Sequence, residues 1–273
     1  MASSVTAFSD MAPSPRVVVD IDDADLNPST VTALVMQVSV WGEVPVENTP
    51  RPVAGGLVVT DYTVPPGVQV VYRVRQFDAA GADLGLALSL TAQVEWDAGL
   101  VVISDPLAPR DAVMVGAEVS YAGTLTRSRP VARYRAGSQT FAMSGLYSAF
   151  EEVPLRCFTS TASDRETLAR ILEQPLILVR SMPQTRLPGS FFASLASTPM
   201  MPWDAHDGED TDVWDLVGSE VSRPTVDVLV PIFDYSLYKQ YLDAKYPPEA
   251  TYDDAATEWS TYIESLRNPP PVV

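Results

Sequence analysis

Hydrophobic and polar residues alternate along much of the first hundred residues, a pattern that predicts β-strands joined by short turns. The clearest run extends from Val70 to Phe77. One face of this strand is mostly apolar and is expected to be buried: Val70, Tyr72, Val74 and Gln76. The other face carries two arginines and is expected to meet water or a partner: Val71, Arg73, Arg75 and Phe77. We therefore predict a β-sandwich over residues 16–104.

Turn residues divide this first domain at short intervals. They cluster at Asn27-Pro28-Ser29, residues 50–52, Pro65-Pro66-Gly67 and Ala80-Gly81. Such spacing, combined with β-branched runs, is typical of all-β structure. Residues 1–15 are predicted to form a flexible N-terminal arm. Residues 105–109 are predicted to form a proline-containing hinge that ends the domain, because proline restricts its own backbone and that of its predecessor.

The next segment, residues 110–233, is predicted to be a second β-rich domain with one helix over residues 164–174. Its candidate strands are residues 112–115, 124–126, 131–135, 140–143, 153–158, 176–180 and 225–230. Ser163 and Glu166 predict a capping box at the start of the helix, and Pro175 ends it. An apolar stripe is expected to pack the helix on the sheet: Leu168, Ile171 and Leu172.

The last segment, residues 234–273, is predicted to form two short amphipathic helices joined by Pro247-Pro248. Their apolar faces carry the candidate interface residues Tyr238, Tyr241, Trp259, Tyr262 and Ile263. Two such helices have no core of their own and must dock on another surface. That surface is either the chain's own β-domain or a neighbouring subunit.

The order of these segments resembles the minor tail proteins at the tail tip of long, non-contractile-tailed phages of actinobacteria. The resemblance rests on residues 16–22, 38–41, 55–62, the junction Asp105-Pro106-Leu107, and residues 168–180 and 222–228. It therefore covers most of the chain. The predicted fold is mainly β: a fibronectin type III-like β-sandwich, then a second β-sandwich or barrel domain with one helix, and a C-terminal helical segment.

The resemblance implies a structural role in the virion and brings no catalytic residues with it. The chain is then expected to form a ring, sixfold or threefold, at the tail tip. In that ring it would act as an adaptor between the tail tube and the hub or receptor-binding proteins, beside other minor tail proteins. Synthesis and assembly are expected in the host cytoplasm.

The composition and charge of the chain exclude several classes of binding partner. The chain has 273 residues, is 46% hydrophobic and can therefore fill two cores. Its net charge of −17 has the wrong sign for nucleic acid or anionic membrane surfaces. The sequence lacks the run of about 20 apolar residues that a membrane-spanning helix needs, and residues 1–15 lack the features of a secretory signal.

Almost all the positive charge is arginine, because the chain has only two lysines, Lys239 and Lys245. Arginine favours fixed, bidentate contacts with carboxylates. Four arginines alternate and are predicted to share one strand face: Arg127, Arg129, Arg133 and Arg135. They would meet either the acidic surface of the next copy or carboxylates within their own domain.

Residues able to do chemistry are few. His206 is the only histidine and Cys157 the only cysteine, and Cys157 is expected to be buried. The sequence also lacks motifs for a nucleophile or a phosphate loop, so no enzyme activity and no cofactor are predicted. A hydrolase would need paired carboxylates, and nothing in the sequence pairs them. The acidic loop 204–212 is either a cation site or a solvated loop.

Two tryptophans, Trp203 and Trp214, flank this loop. Aromatic rings beside polar residues form either a sugar-binding platform or ordinary packing. A sugar platform there would support the alternative function, a carbohydrate-binding adhesin that contacts glycans on the host cell envelope. Trp203 and Trp214 are thus the candidate glycan or contact residues.

Overall fold

Strands dominate the structure, a computed structural model that describes residues 2–109, 111–118, 126–128, 131–136, 139–144, 149–151, 153–185, 187, 189–202, 211–224, 242 and 245. Two separate hydrophobic cores organise these residues, one in a β-sandwich and one in a β-barrel. The predicted mainly-β fold class is confirmed.

The sandwich consists of two antiparallel sheets that face each other across the first core. Its strands are β1 (Ser4–Phe8), β2 (Arg16–Ile21), β3 (Thr32–Ser39), β4 (Gly42–Pro45), β5 (Arg51–Pro52), β6 (Leu57–Asp61), β7 (Val70–Phe77) and β8 (Asp83–Ala92). One sheet has the order β1-β2-β6; the other has the order β4-β3-β7-β8, with β5 also paired to β3. This is the fibronectin type III-like sandwich that the alternating pattern predicted, and β7 buries the face expected.

The N-terminal segment belongs to this sandwich. The prediction of a flexible arm over residues 1–15 was wrong for Ser4–Phe8, which forms β1 and pairs antiparallel with β2. The prediction failed because β1 is an edge strand with no fully buried residue, so its sequence lacks clear apolar alternation. Ser14 and Pro15, just before β2, are also buried.

The second domain is an antiparallel barrel of six strands. Its elements are β9 (Leu100–Ser104), β10 (Ala112–Glu118), β15 (Val153–Thr159), α1 (Ala162–Leu172), β16 (Ile177–Ser181), β17 (Ser190–Ser197), β18 (Met200–Pro202) and β19 (Asp212–Val221). Pairing runs β15-β10-β9-β16-β17-β19 and closes when β19 pairs with β15. The short strand β18 lies beside the start of β19. Closure leaves no open edge in this ring of strands.

The boundary between the domains lies earlier than the sequence predicted. Leu100–Ser104 is barrel strand β9, which pairs with β10 and β16, so the sandwich does not extend to residue 104. Residues 105–109 are the turn of the β9–β10 hairpin and not a hinge between domains. Within this turn the Asp111 N–H donates to the Ala108 carbonyl at 2.7 Å. Proline and aspartate are common both in hairpin turns and at the ends of domains. The sequence alone therefore did not show which of the two these residues form.

Helix α1 packs on the barrel and adds Leu168 and Ile171 to its core. Its cap is Thr161, whose hydroxyl accepts from the Asp164 N–H at 3.0 Å, so the helix starts two residues before the predicted 164–174. The predicted apolar stripe is buried as expected, with Leu172 partly exposed.

A hairpin arm interrupts the barrel between β10 and β15. It consists of two nested strand pairs, β11 (Thr126–Ser128) with β14 (Ala149–Glu151), and β12 (Val131–Ala136) with β13 (Gln139–Ser144). Each pair forms a sheet of only two strands in the described part of the chain. This hairpin arm carries the arginines predicted to share one strand face.

Candidate functional site at the domain junction

A buried arginine from the barrel ties the two domains together. Arg180 lies on β16 and is completely buried. Its Nη1 donates to the Pro15 carbonyl at 2.6 Å, and its Nη2 donates to the Ser14 hydroxyl at 2.7 Å. Its guanidinium carbon lies 5.7 Å from the ring centre of Trp96. A barrel side chain is therefore bound to the turn between β1 and β2 of the sandwich.

The sandwich presents a buried carboxylate to this region. Asp61, at the end of β6, accepts hydrogen bonds from Gln37 Nε2 at 2.6 Å and from the Tyr72 hydroxyl at 2.8 Å. Its other oxygen accepts from the backbone N–H of Thr63 at 2.7 Å and from the Thr63 hydroxyl at 2.8 Å. All these partners belong to the sandwich, so hydrogen bonds within that domain fix the position of the carboxylate.

Burial is the main cause of the pKa shifts of Arg180 and Tyr72 in this cluster. Burial lowers the pKa of Arg180 to about 10, while the nearby Asp61 opposes this shift, so the guanidinium remains charged at neutral pH. Burial first, and then Asp61, raise the pKa of the Tyr72 phenol. The Tyr72 hydroxyl therefore stays protonated at neutral pH and donates a hydrogen bond to Asp61.

A second arginine joins the domains about the end of β19. Arg223 donates from Nη1 to the Pro45 carbonyl and from Nη2 to the Val46 carbonyl, each at 2.6 Å. Both carbonyls lie in the sandwich, at the C-terminal end of β4. Two arginines of the barrel thus bind backbone carbonyls of the sandwich at separate points.

Two glycines let the domain surfaces approach closely. A Cβ at Gly67 of the sandwich would lie 2.6 Å from Cδ of Pro183 in the barrel, and Gly67 has a φ of +70°. A Cβ at Gly189 of the barrel would lie 2.6 Å from Cη2 of Trp41 in the sandwich. Larger residues would force the two surfaces apart at both places.

A groove follows the junction on both sides of Arg223. One cavity, about 80 Å³, lies towards Glu47 and Pro109, and the other, about 150 Å³, lies under Trp41. Thr63, Phe192 and Arg223 line both cavities. We call this feature the junction groove. It is a candidate binding site, since clefts between domains commonly hold ligands.

The structure places Trp214 in the barrel core and not beside an open groove. Trp214 is only 5% exposed, and its Nε1 donates to the Thr159 hydroxyl at 3.1 Å. Of the two uses left open for Trp214, ordinary packing is the one that the structure shows, and its ring is not available to a glycan platform. Its position on β19, opposite Cys157 of β15, accounts for the burial. Trp203 lies outside the described residues.

The predicted arginine face is divided between two strands. Arg127 lies on β11, and Arg133 and Arg135 lie two positions apart on β12, so the one shared face for all four arginines stays a prediction. Arg135 is exposed. Arg129 lies outside the described residues.

The structure describes only a few of the other residues that were predicted to form sites. Tyr238, Tyr241, Trp259, Tyr262 and Ile263 lie outside the described residues, as do residues 204–210 of the acidic loop. The described end of that loop, Asp212, is buried and pairs with Arg165 at 2.9 Å. In the described part of the chain, no group of His, Cys, Asp and Glu side chains could hold a metal ion.

Cys157 is fully buried in the barrel core, as predicted. Burial raises the pKa of its thiol, and the nearby Asp215 adds to that shift. The thiolate form required for nucleophilic attack is therefore disfavoured. Cys157 packs as a small apolar side chain.

Sequence reasoning missed the residues that join the domains: Asp61, Arg180 and Arg223. One signal was present, since Arg180 interrupts the apolar strand Ile177–Ser181, where a charge is costly unless it is paired. Asp61 similarly follows the apolar residues of β6. The sequence could not show which groups these charges would meet.

Comparison of the chain with protein-family models, curated proteins and solved structures finds no match. Within the residues described, no helix has both the length and the apolar character needed to cross a membrane.

Proposed function

We propose that this protein is a structural subunit of a phage tail tip, an adaptor in a ring between the tail tube and the hub or receptor-binding proteins. The proposal rests on the resemblance in segment order and on the arrangement of a sandwich, a closed barrel and a hairpin arm inserted between barrel strands β10 and β15. Its mechanism is assembly through repeated interfaces, with no catalytic step.

The hairpin arm is the observation that carries the proposal. Residues 126–151 contain four arginines and one acidic residue, Glu151, although the whole chain has a net charge of −17. A two-stranded ribbon is at best marginally stable alone in water and gains stability from a further strand or a packed surface. The acidic surface of a second copy complements the charge of this arm. We therefore assign the arm to the contact between neighbouring copies.

The domain junction suits the same role. Arg180 and Arg223 bind sandwich carbonyls, and Arg180 lies in a fully buried site. An adaptor must keep the surfaces that meet its neighbours in a fixed relation. Fixed hydrogen bonds across a buried junction hold the sandwich and the barrel as one unit.

We expect that Arg133→Gln together with Arg135→Gln raises the dissociation constant for self-association or for binding to tail-tube protein at least about tenfold. The reason is the loss of two positive charges from the arm. Sedimentation velocity over a concentration series, with and without tail-tube protein, measures the change. Raising the salt concentration should weaken the wild-type association in the same direction.

The matched control is Arg75→Gln together with Arg170→Gln. It removes the same charge from two exposed positions outside the arm, where Arg75 pairs with Asp83 and Arg170 with Asp111. This control should associate like the wild type. Equal weakening by both double variants would show that net charge alone governs association, and a wild type that stays monomeric with every tail component would contradict the proposal.

A carbohydrate-binding adhesin remains the second candidate function. Trp214 cannot serve it, because its ring is buried. The observation that favours it is a different tryptophan, Trp41, which overhangs the junction groove and is 54% exposed.

A further inference from the structure

Trp41 is a large aromatic residue whose side chain is about half exposed to solvent. It lies in the turn between β3 and β4 and is 54% exposed. Its backbone N–H donates to the Ser39 hydroxyl at 3.2 Å, which fixes the turn locally. The outer edge of its six-membered ring rests against Gly189 of the barrel, where no Cβ could be accommodated. The ring is thus positioned by contact with both domains.

The cavity under Trp41 combines apolar surface with short polar side chains. Its volume is about 150 Å³. The polar residues that line it are Gln37, Ser39, Thr63, Ser190 and Arg223. The apolar ones are Trp41, Val44, Pro65 and Phe192. The hydroxyls of Ser39 and Ser190 provide polar groups at the rim, and the indole provides a flat apolar surface at the side. The Arg223 guanidinium and the Gln37 amide also lie in the lining, where they donate to sandwich acceptors.

We propose that the junction groove is a binding site for a neutral saccharide, with Trp41 stacking against one pyranose ring. A pyranose has an apolar face of C–H groups and a rim of hydroxyls, which matches the aromatic surface and the short polar side chains of this cavity. The inference goes beyond the proposed assembly role and does not depend on it.

The second cavity of the junction groove extends the site, and the charge of the protein determines which ligand charge is favoured. Beyond Arg223 and Phe192 the second cavity continues past Glu47, Asn48 and Tyr62. The two cavities share Thr63, Phe192 and Arg223, so a further sugar residue bound in the second cavity would lie next to one bound under Trp41. The net charge of −17 disfavours an anionic polymer. The ligand class is accordingly a neutral oligosaccharide.

A protein partner fits the site less well. Stable protein interfaces bury about 800 Å² on each partner and centre on a tightly packed apolar cluster. The concave part of this site has the size of one small ring, and polar residues make up half of its lining. Exposed Val40, at 78%, lies beside Trp41 but does not line the cavity, and it serves as the control for contacts made by the turn itself.

The test is binding of the full chain to an array of neutral and anionic oligosaccharides, followed by titration of the strongest neutral ligand by calorimetry. We expect binding to neutral glycans, a loss of at least about tenfold in affinity for Trp41→Ala, and partial recovery in Trp41→Tyr, which keeps an aromatic face. Val40→Ala should bind like the wild type. The indole N–H signal of Trp41 in the NMR spectrum should shift with saturation of the site.

Three outcomes would overturn the inference. They are absence of binding to any neutral glycan, binding that survives Trp41→Ala unchanged, and equal losses for Val40→Ala and Trp41→Ala. If Trp41→Ala instead blocks association with tail proteins and no glycan binds, the turn is a protein contact. Self-association of the wild type is measured in parallel, so failure of the saccharide site is distinguishable from failure of the proposed assembly role.

Discussion

Replacing Arg180 with alanine is expected to lower the free energy of unfolding by about 3–5 kcal/mol, because it removes one partner from a fully buried charge cluster. Ser14 and the Pro15 carbonyl would lose their donors, and the buried Asp61 would lose a nearby positive charge. Urea unfolding followed by circular dichroism measures the change. Limited proteolysis should also show faster cleavage between the domains, in residues 95–99.

Arg75→Ala is the matched control for this variant. Arg75 lies on β7, is exposed and pairs with the exposed Asp83. Exposed ion pairs contribute about 0–1 kcal/mol, so this variant should unfold nearly like the wild type. If Arg180→Ala were as mild as Arg75→Ala, the junction would not be the fixed contact described above.

Trp214→Ala is expected to cost about 3–5 kcal/mol of stability, because it empties a large volume in the barrel core and removes the hydrogen bond to Thr159. Guanidinium unfolding monitored by circular dichroism gives the value. The same substitution at an exposed tryptophan, Trp41→Ala, should cost about 1 kcal/mol or less. A stable Trp214→Ala variant that loses glycan binding would restore the sugar platform predicted from the sequence and contradict the barrel core.

The sequence predicted those elements whose own residues determine their structure. Strand β7 shows its buried face through strict alternation, and α1 shows its apolar stripe through Leu168 and Ile171. Edge strand β1 was missed, because it is only half buried and its pairing with β2 depends on residues far from its own pattern.

The candidate site was less predictable than the fold. Arg180 contacts Ser14 and Pro15 across more than 160 positions of sequence, and nothing local identifies such a partner. The same holds for Trp41, whose position over the groove depends on Gly189 in the other domain. The opposite difficulty arises at Trp214. Its position beside an acidic loop in the sequence suggests exposure, but its strand β19 pairs with β15 in a closed barrel, which buries the ring.

The central claim is the proposed tail-tip role, and imaging of purified phage particles tests it most directly. A peptide tag on the chain, labelled with gold-conjugated antibody, is located by electron cryomicroscopy of purified particles. The account predicts label at the distal end of the tail, as a ring with sixfold or threefold symmetry next to the tail tube. Label on the capsid, or particles of normal composition that lack the chain altogether, would contradict it.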